Sequence, residues 1–265
     1  MKSSTYHRKR RKKRIRLTGL LILVIVMVVF MLGLRSQRMP GTWEAVNPRS
    51  IHQAQKELRD HPDHPKALEE LLEHNPETAE FVRDYEKEVN KEHRINLAGE
   101  LKPGEIPLFL QWDKRWGYEL YGKQMIAVDG CGPVCLSMIA AGLLQDASLS
   151  PLQVARFAEK NGYYVDGSGS SWSLMSDGAR QLGLQAEELS LDENVIRNQL
   201  QEGHPVACIM GPGDFTTSGH FIVLTGVNAD GTVKVNDPNS RIRSEKSWDL
   251  RQIMPQIRNL WAYSV

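Results

Sequence analysis

Residues 129–144 read DGCGPVCLSMIAAGLL, and the interpretation of the whole chain starts from this stretch. Two glycines surround Cys131, and the segment after them is apolar and rich in small residues, which is typical of a tight turn leading into a buried helix. Pro133 fits the first turn of such a helix. Unpaired N–H groups and the helix dipole favour a negative charge at Cys131, and hence the nucleophilic thiolate. The alternative is a buried cysteine that only packs in the core.

Two apolar segments further along the chain predict a β-hairpin. Residues 219–226 read GHFIVLTG, and residues 233–238 read VKVNDP. Between them, residues 228–231 read NADG, a strong turn signal. The start of the first strand therefore lies beside the end of the second.

This hairpin predicts a base for the cysteine. His220, at the start of the first strand, becomes a cross-strand neighbour of Asn236 or Asp237. These two residues point to opposite faces of the strand, so only one of them holds the imidazole. The order Cys, His, Asp or Asn is that of thiol hydrolases, in which the geometry makes the triad.

Four segments in this order resemble the bacterial C39-like cysteine peptidases, relatives of the bacteriocin-leader peptidases. They are residues 106–117 (IPLFLQWDKRWG), the turn and helix from Asp129, residues 219–226 and residues 236–238. The resemblance covers about residues 101–265, which we therefore expect to form the peptidase domain. It implies an α+β, papain-like cysteine peptidase fold, in which an N-terminal nucleophile helix packs on an antiparallel sheet.

The resemblance also implies a role for each site residue. Cys131 is the nucleophile, His220 the general base and Asp237 the residue that orients the imidazole. Gln111 is the side chain of the oxyanion hole. Gln124, which is closer to the cysteine in sequence, is the alternative.

The predicted activity is the hydrolysis of peptide bonds in a peptide or protein substrate. The Cys131 thiolate, paired with the His220 imidazolium, attacks the carbonyl, and water later releases the acyl group. This chemistry requires neither a metal nor a cofactor. Two alternatives stay open: a papain-like acyl or peptidyl transferase, which uses an amine in place of water, and a catalytically silent binding module.

Two tryptophans are candidates for the walls of the substrate cleft. Residues 106–111 are apolar and predict a short strand entered through Pro107, and Trp112 belongs to an aromatic cluster that follows them. Trp172 ends a loop rich in glycine and serine, residues 163–172 (YYVDGSGSSW). Because binding residues often lie on such loops, we expect Trp172 at the rim of the cleft.

The chain has three cysteines. Cys135 lies one turn after Cys131 on the same helix face. A bridge between these two strains the helix and removes the nucleophile, whereas a bridge between Cys135 and Cys208 leaves Cys131 free. Both a packed Cys135 thiol and this second bridge remain open.

The N-terminal residues predict a membrane anchor. Residues 1–16 are rich in Lys and Arg without any acidic residue, and residues 17–34 (LTGLLILVIVMVVFMLGL) are uncharged and about long enough to cross a bilayer. No small-residue cleavage site follows, which favours a retained signal anchor over a cleaved signal peptide. The positive-inside rule places the basic tail in the cytoplasm and everything after about Arg38 outside the cell membrane.

The charge distribution excludes nucleic acids as partners. Residues 1–38 hold 11 of the 33 basic residues and none of the 32 acidic ones, so the remainder is acidic. Nucleic-acid binding depends on neutralising phosphates with basic side chains. An acidic domain outside the membrane is a poor candidate for that task.

Residues 35–100 are predicted to form an extracellular helical stalk or linker. Asn75 and Pro76 are start signals for a helix that reaches about Lys91, with a narrow apolar stripe. We expect the stripe to pack on the catalytic domain or a neighbouring helix; a partner-binding or self-association surface is the alternative. His61 and His64 lack ligand-spaced neighbours, so we expect solvated histidines and no metal site.

Overall fold

The computed structural model describes residues 46–265 of the chain. The predicted basic tail, the predicted anchor at residues 17–34 and the first part of the predicted stalk lie outside the described residues. Within residues 46–265, no helix combines the length and the apolar character needed to cross a bilayer.

Four short helices form an N-terminal helical segment, defined here as residues 46–100. They are α1 Pro48–Asp60, α2 Lys66–His74, α3 Ala79–Arg83 and α4 Tyr85–Glu88. Asn75 caps a 3-10 turn before α3, and its side chain accepts a hydrogen bond from the Glu77 N–H. The single helix predicted from Asn75 to about Lys91 is therefore wrong, because the chain bends at Asp84 between α3 and α4.

The N-terminal helical segment packs on the rest of the described chain through a shared apolar cluster. Leu68 and Phe81 from the helices are buried there together with Tyr118 and Ala127. The rings of Phe81 and Tyr118 stack with centroids 4.0 Å apart, and the Tyr118 hydroxyl donates to the Phe81 carbonyl at 2.7 Å. Residues 46–265 belong to one compact unit.

The central helix of the fold, α6, spans Cys131–Leu144 and is buried on nearly every side. It begins directly after Gly130, as predicted, and ends at Gln145, whose left-handed backbone has a φ of 52°. Gly142 lies against the segment around Pro107, where an added Cβ would come within 2.9 Å of the proline ring. This close approach requires a residue without a side chain.

A five-stranded antiparallel sheet packs against α6. Its strands lie in the order β5, β9, β6, β7, β8. Their bounds are β5 Gln185–Glu188, β6 Val206–Met210, β7 His220–Val227, β8 Val233–Asn236 and β9 Ile257–Ser264. Alternate side chains along β6 and β7 enter two different apolar clusters, one of which contains the α6 side chains. The mixed helical and antiparallel architecture confirms the α+β prediction.

Shorter elements surround this frame. Two small hairpins are β1 Leu120–Tyr121 with β2 Gln124–Met125, and β3 Tyr164–Val165 with β4 Gly169–Ser170. The remaining α-helices are α5 Ile126–Asp129, α7 Pro151–Lys160, α8 Ala179–Gln181, α9 Glu193–Gln201, α10 Arg241–Glu245 and α11 Leu250–Ile253. A π-helix, Leu174–Gly178, precedes α8, and a 3-10 turn, Met254–Gln256, follows α11.

Residues 106–111 do not form the short strand that their apolar character predicted. They pass beside α6 at Gly142 and are held by individual hydrogen bonds. The Asn236 side chain donates to the carbonyls of Ile106 and Pro107, and the Gln111 N–H donates to the Pro238 carbonyl. Pro107 has no N–H for a strand ladder, which explains the difference.

Candidate active site

The structure brings His220 and Asp237 together at one end of the sheet. Nε2 of His220 lies 2.8 Å from Oδ1 of Asp237. The Asp237 side chain is fully buried and that of His220 is 8% exposed. A buried imidazole and a buried carboxyl in hydrogen-bond contact make up an orienting pair for acid–base chemistry.

Strand register selects Asp237 over Asn236, an alternative that the sequence left open. Val223 pairs with Asn236, so Asp237 lies one step beyond β8, on the face opposite that of Asn236. The Asn236 side chain instead donates to the carbonyls of Ile106 and Pro107, at 3.1 and 3.0 Å. Asn236 therefore holds residues 106 and 107 in place, and Asp237 is left to contact the histidine.

A second cation holds the other oxygen of Asp237. Nε of Arg243 donates to Oδ2, and the Asn239 N–H donates to Oδ1 at 2.8 Å. Burial alone raises the pKa of Asp237, but His220 and Arg243 outweigh burial and hold this pKa below its usual value. The carboxyl group is thus ionised between two cationic side chains.

Cys131 lies at the first position of α6 with a partly exposed side chain. The next residue, Gly132, packs against β4: an added Cβ would lie 2.5 Å from Ser170 Oγ. The close contact between β4 and the start of α6 leaves no room for a larger residue. Cys131 is thus a partly exposed residue at a helix N-terminus.

The electrostatics of His220 connect the thiol with the buried pair. Burial lowers the pKa of His220, but Asp237 and then Cys131 outweigh it and raise this pKa to about 10. Since Nε2 contacts Asp237, Nδ1 is the ring nitrogen left for the sulfur. The imidazole is therefore an imidazolium at neutral pH, with the Asp237 carboxylate at Nε2.

Gln111 lies between the two halves of the site. Its N–H donates to the Pro238 carbonyl at 2.7 Å, one residue after Asp237. Its side-chain Nε2 donates to the Ala127 carbonyl at 2.6 Å, four residues before Cys131. Nε2 carries two hydrogens, and the second has only a long contact, of 3.5 Å, to the Val128 carbonyl. The carboxamide is thus held against the segment that precedes Cys131, with its weaker hydrogen bond at Val128.

Gln124 has a different environment. It lies on β2 and is exposed to solvent, and within residues 46–265 its side chain makes no hydrogen bond. An oxyanion-hole donor has to be held in place before the reaction. Of the two candidates, Gln111 is the one with a buried and anchored carboxamide.

The two predicted cleft tryptophans occupy different places. Trp112 packs beside the N-terminal helical segment and donates from Nε1 to the Asn239 carbonyl at 3.1 Å. Trp172 is 47% exposed, follows β4 by two residues, and meets Trp261 edge-to-face with centroids 6.3 Å apart. β4 packs on the start of α6, so Trp172 follows an element that touches the helix carrying Cys131.

The three cysteines are free thiols. Cys135 belongs to the apolar cluster around α6, whereas Cys208 belongs to the cluster on the opposite face of the sheet. A bridge between them would have to pass through the sheet. Burial raises the pKa of both thiols, so the structure favours the packed form of Cys135 and Cys208 over the bridge.

His64 departs from the prediction of solvated histidines. Its side chain is 5% exposed, its ring stacks on that of His61 at 4.9 Å, and its Nε2 lies 3.2 Å from the Glu86 carboxyl group. The α1 to α2 connection packs against α4, and this contact covers the ring. Within residues 46–265, no group of His, Cys, Asp and Glu has the arrangement of a metal site.

A model of the Peptidase_C39 like family matches residues 104–264, which is more than half of the chain. The chain belongs to this family. Membership indicates a cysteine peptidase-like domain, and the match includes Cys131, His220 and Asp237 as well as both glutamines. No curated protein matches the chain. The N-terminal helical segment lies outside the part that matches the C39-like family.

Sequence reasoning missed Arg243, the second partner of Asp237. No motif marks this residue, but one local signal was available. Ser240 caps α10 by accepting a hydrogen bond from the Arg243 N–H at 3.0 Å, a serine cap that places Arg243 in the first helical turn. The position of that turn beside Asp237 depends on tertiary contacts.

Proposed function

We propose that this chain is a cysteine peptidase that hydrolyses peptide bonds through Cys131, His220 and Asp237. One observation carries the proposal: the Cys131 thiol, partly exposed at a helix N-terminus, raises the pKa of a buried imidazole that is hydrogen-bonded to a buried carboxyl group. This is the arrangement that an activated thiol nucleophile needs.

In the proposed reaction, the thiolate of Cys131 attacks the carbonyl carbon and forms a C–S bond. The carbonyl electrons move to oxygen, and the Gln111 amide hydrogen and the Cys131 N–H stabilise the oxyanion. Collapse of this intermediate breaks the C–N bond, and the His220 imidazolium gives its proton to the leaving amine. Water, deprotonated by His220, then attacks the thioester carbon and forms a C–O bond. Collapse of this second intermediate breaks the C–S bond, releases the acid and restores the Cys131 thiolate and the His220 imidazolium.

The nucleophile is tested by alkylation and by hydrolysis. The full chain and the variants Cys131→Ala, His220→Ala and Cys208→Ala are treated with iodoacetamide at pH 6, and the modified cysteine is identified by mass spectrometry. A quenched fluorescent peptide library measures hydrolysis in parallel.

We expect Cys131 to be alkylated about tenfold or more faster in the wild type than in His220→Ala, because the imidazolium stabilises the thiolate. Cys131→Ala loses hydrolysis and Cys208→Ala keeps it. Hydrolysis that survives in Cys131→Ala overturns the proposal, and an alkylation rate equal in wild type and His220→Ala points to a binding module instead.

The acyl group on Cys131 is passed on to a second molecule, the acceptor. We propose water, and the alternative is an amine, as in a papain-like acyl or peptidyl transferase. Mass spectrometry of the library products with and without glycinamide separates them. Free acids in both samples support a peptidase, and glycinamide adducts that dominate the products support a transferase.

We also propose that residues 17–34 anchor the enzyme in the cell membrane, with the basic N-terminus in the cytoplasm and the peptidase domain outside. The support is the uncharged run in the sequence that follows the basic tail. The full chain should stay in the membrane fraction after an alkaline carbonate wash. A variant with three arginines within residues 17–34 should be released, and equal retention of both chains contradicts the anchor.

A further inference from the structure

Glu77, in the N-terminal helical segment, has a carboxyl group buried against the turn that follows β8. One oxygen accepts a hydrogen bond from Ser240 Oγ. The other accepts from the N–H groups of Arg241 and Ile242, at 2.8 and 3.2 Å. Glu77 is separated from these partners by more than 160 residues of sequence.

We propose that Glu77 is a positioning residue of the active site, which holds Arg243 against Asp237 and thereby fixes the carboxyl group that orients His220. This inference rests on the proposed peptidase function. It deepens that function because it adds the N-terminal helical segment to the catalytic unit.

The contacts form a continuous path from Glu77 to Asp237. Glu77 and Ser240 together accept hydrogen bonds from the first three N–H groups of α10, the last of which belongs to Arg243. Nε of Arg243 then donates to Asp237 Oδ2. Because α10 has only five residues, it is too short to be stable without such partners. The acceptors that Glu77 supplies therefore fix where Arg243 stands.

A second contact holds the same turn from the same segment. Nδ2 of Asn75 donates to the Asn239 carbonyl and, at 3.1 Å, to Asn239 Oδ1. The Asn239 N–H in turn donates to Asp237 Oδ1 at 2.8 Å. Oδ1 of Asp237 is thus linked to Asn75 through Asn239, and Oδ2 is linked to Glu77 through Arg243 and Ser240.

The segment that makes these contacts lies before residue 104, where the match to the C39-like family begins. The matched part of the chain supplies Cys131, His220 and Asp237, and the N-terminal helical segment supplies the contacts that hold the third of them. The Asp237 carboxyl is fully buried. These contacts matter because a buried ion without its partners raises the free energy of the folded state.

The test compares Glu77→Gln with Glu80→Gln in the full chain. Glutamine keeps the size of the side chain, but it offers one acceptor oxygen where Glu77 has two, so it cannot accept from both Ser240 Oγ and the α10 N–H groups on separate oxygens. Glu80 is the matched control, because it is an exposed glutamate three residues later whose nearest cation is Arg83. Each change is also made in an Asp237→Ala background. Cys131 alkylation by iodoacetamide is measured from pH 5.5 to 10, and thermal unfolding is followed for every variant.

We expect Glu77→Gln to lower the alkylation rate at pH 6 about fivefold, a coupling typical of residues in one hydrogen-bond network. The loss should vanish near pH 10, where an ordinary thiol is ionised without help from an imidazolium. It should also vanish in the Asp237→Ala background, because Glu77 acts through Asp237. Glu80→Gln should match the wild type.

A different pattern overturns the inference. If Glu77→Gln only lowers the unfolding temperature, Glu77 has a structural role alone. The same holds if the substitution slows alkylation equally at every pH and in the Asp237→Ala background. Failure of the peptidase proposal gives a different result from failure of this inference. In that case, His220→Ala leaves the rate of Cys131 alkylation unchanged.

Discussion

The carboxyl group of Asp237 lies between two cations, the imidazolium of His220 and the guanidinium of Arg243. In the proposed mechanism, the Cys131 thiolate adds a second negative charge, so the site holds two negative and two positive charges. Such a balanced set reduces the cost of burying ions. At the residue scale, the site is therefore built around charge compensation as much as around a single hydrogen bond.

The pH profile of hydrolysis reports this arrangement. Asp237 and Cys131 raise the pKa of His220 to about 10, so the imidazolium that protonates the leaving amine is lost only as pH rises through that value. Asp237→Asn removes an attraction that favours the charged form, so the pKa falls towards its ordinary value of 6.5. We expect the basic limb of kcat/KM to move to lower pH by about one unit or more.

Asn236→Ala is the control for this change. Its side chain binds the Ile106 and Pro107 carbonyls on the other face of the strand, so the mutation should lower stability and leave the basic limb in place. A basic limb that stays at the same pH in Asp237→Asn contradicts the proposed role of Asp237.

The two glutamine candidates for the oxyanion hole are separated by their kinetics. Gln111→Ala should lower kcat by about 10²–10³, the usual loss for one oxyanion donor, whereas exposed Gln124→Ala should stay within about twofold of the wild type. Alkylation of Cys131 by iodoacetamide forms no oxyanion, so it should proceed normally in Gln111→Ala. Equal kcat losses in both variants, or slow alkylation in Gln111→Ala, would remove the assignment.

At the element scale, the start of α6 is placed by its contact with β4. Gly132 meets Ser170 so closely that an added Cβ would lie 2.5 Å from Oγ and 2.7 Å from Cβ of the serine. Ser170 Oγ is also held by the Tyr121 hydroxyl at 2.8 Å. The two small hairpins therefore brace the helix end that carries Cys131.

Gly132→Ala tests this brace through the free energy of unfolding in urea. Overpacking of this kind costs about 1–3 kcal/mol, because the hairpin has to shift. Adding Ser170→Gly should recover part of the loss, since it removes both of the closest serine atoms. Gly99→Ala is the control, as no heavy atom of the described residues lies within 4 Å of its added Cβ. Equal stability of Gly132→Ala and Gly99→Ala would contradict the close contact.

At the scale of the whole molecule, the N-terminal helical segment and the C39-like domain share one apolar cluster. Phe81 is fully buried in it and stacks on Tyr118, while Gly117 approaches its ring so closely that a Cβ would lie 2.7 Å away. A core shared in this way makes the two parts unfold together.

Phe81→Ala should therefore lower the free energy of unfolding of the whole described unit by about 3–5 kcal/mol. Circular dichroism and tryptophan fluorescence should show a single coincident transition at the lower denaturant concentration. Leu191→Ala, which truncates an exposed leucine, should leave the midpoint nearly unchanged. Separate transitions for the two probes would show that the helices fold independently of the peptidase domain.

Local sequence patterns determined the elements that carry the site. The glycines around Cys131 place it at the start of α6, the turn at residues 228–231 closes the hairpin of β7 and β8, and strand parity separates Asn236 from Asp237. These features depend on neighbours close in sequence, through turn chemistry and side-chain periodicity.

Tertiary structure alone decided the remaining contacts. It selected Asp237, brought Arg243 to its second oxygen, anchored Gln111 beside the segment before Cys131, and placed Glu77 against α10. The last contact joins residues more than 160 positions apart. No local pattern encodes such a pairing, because it arises only when the N-terminal helical segment packs its apolar face on the rest of the fold.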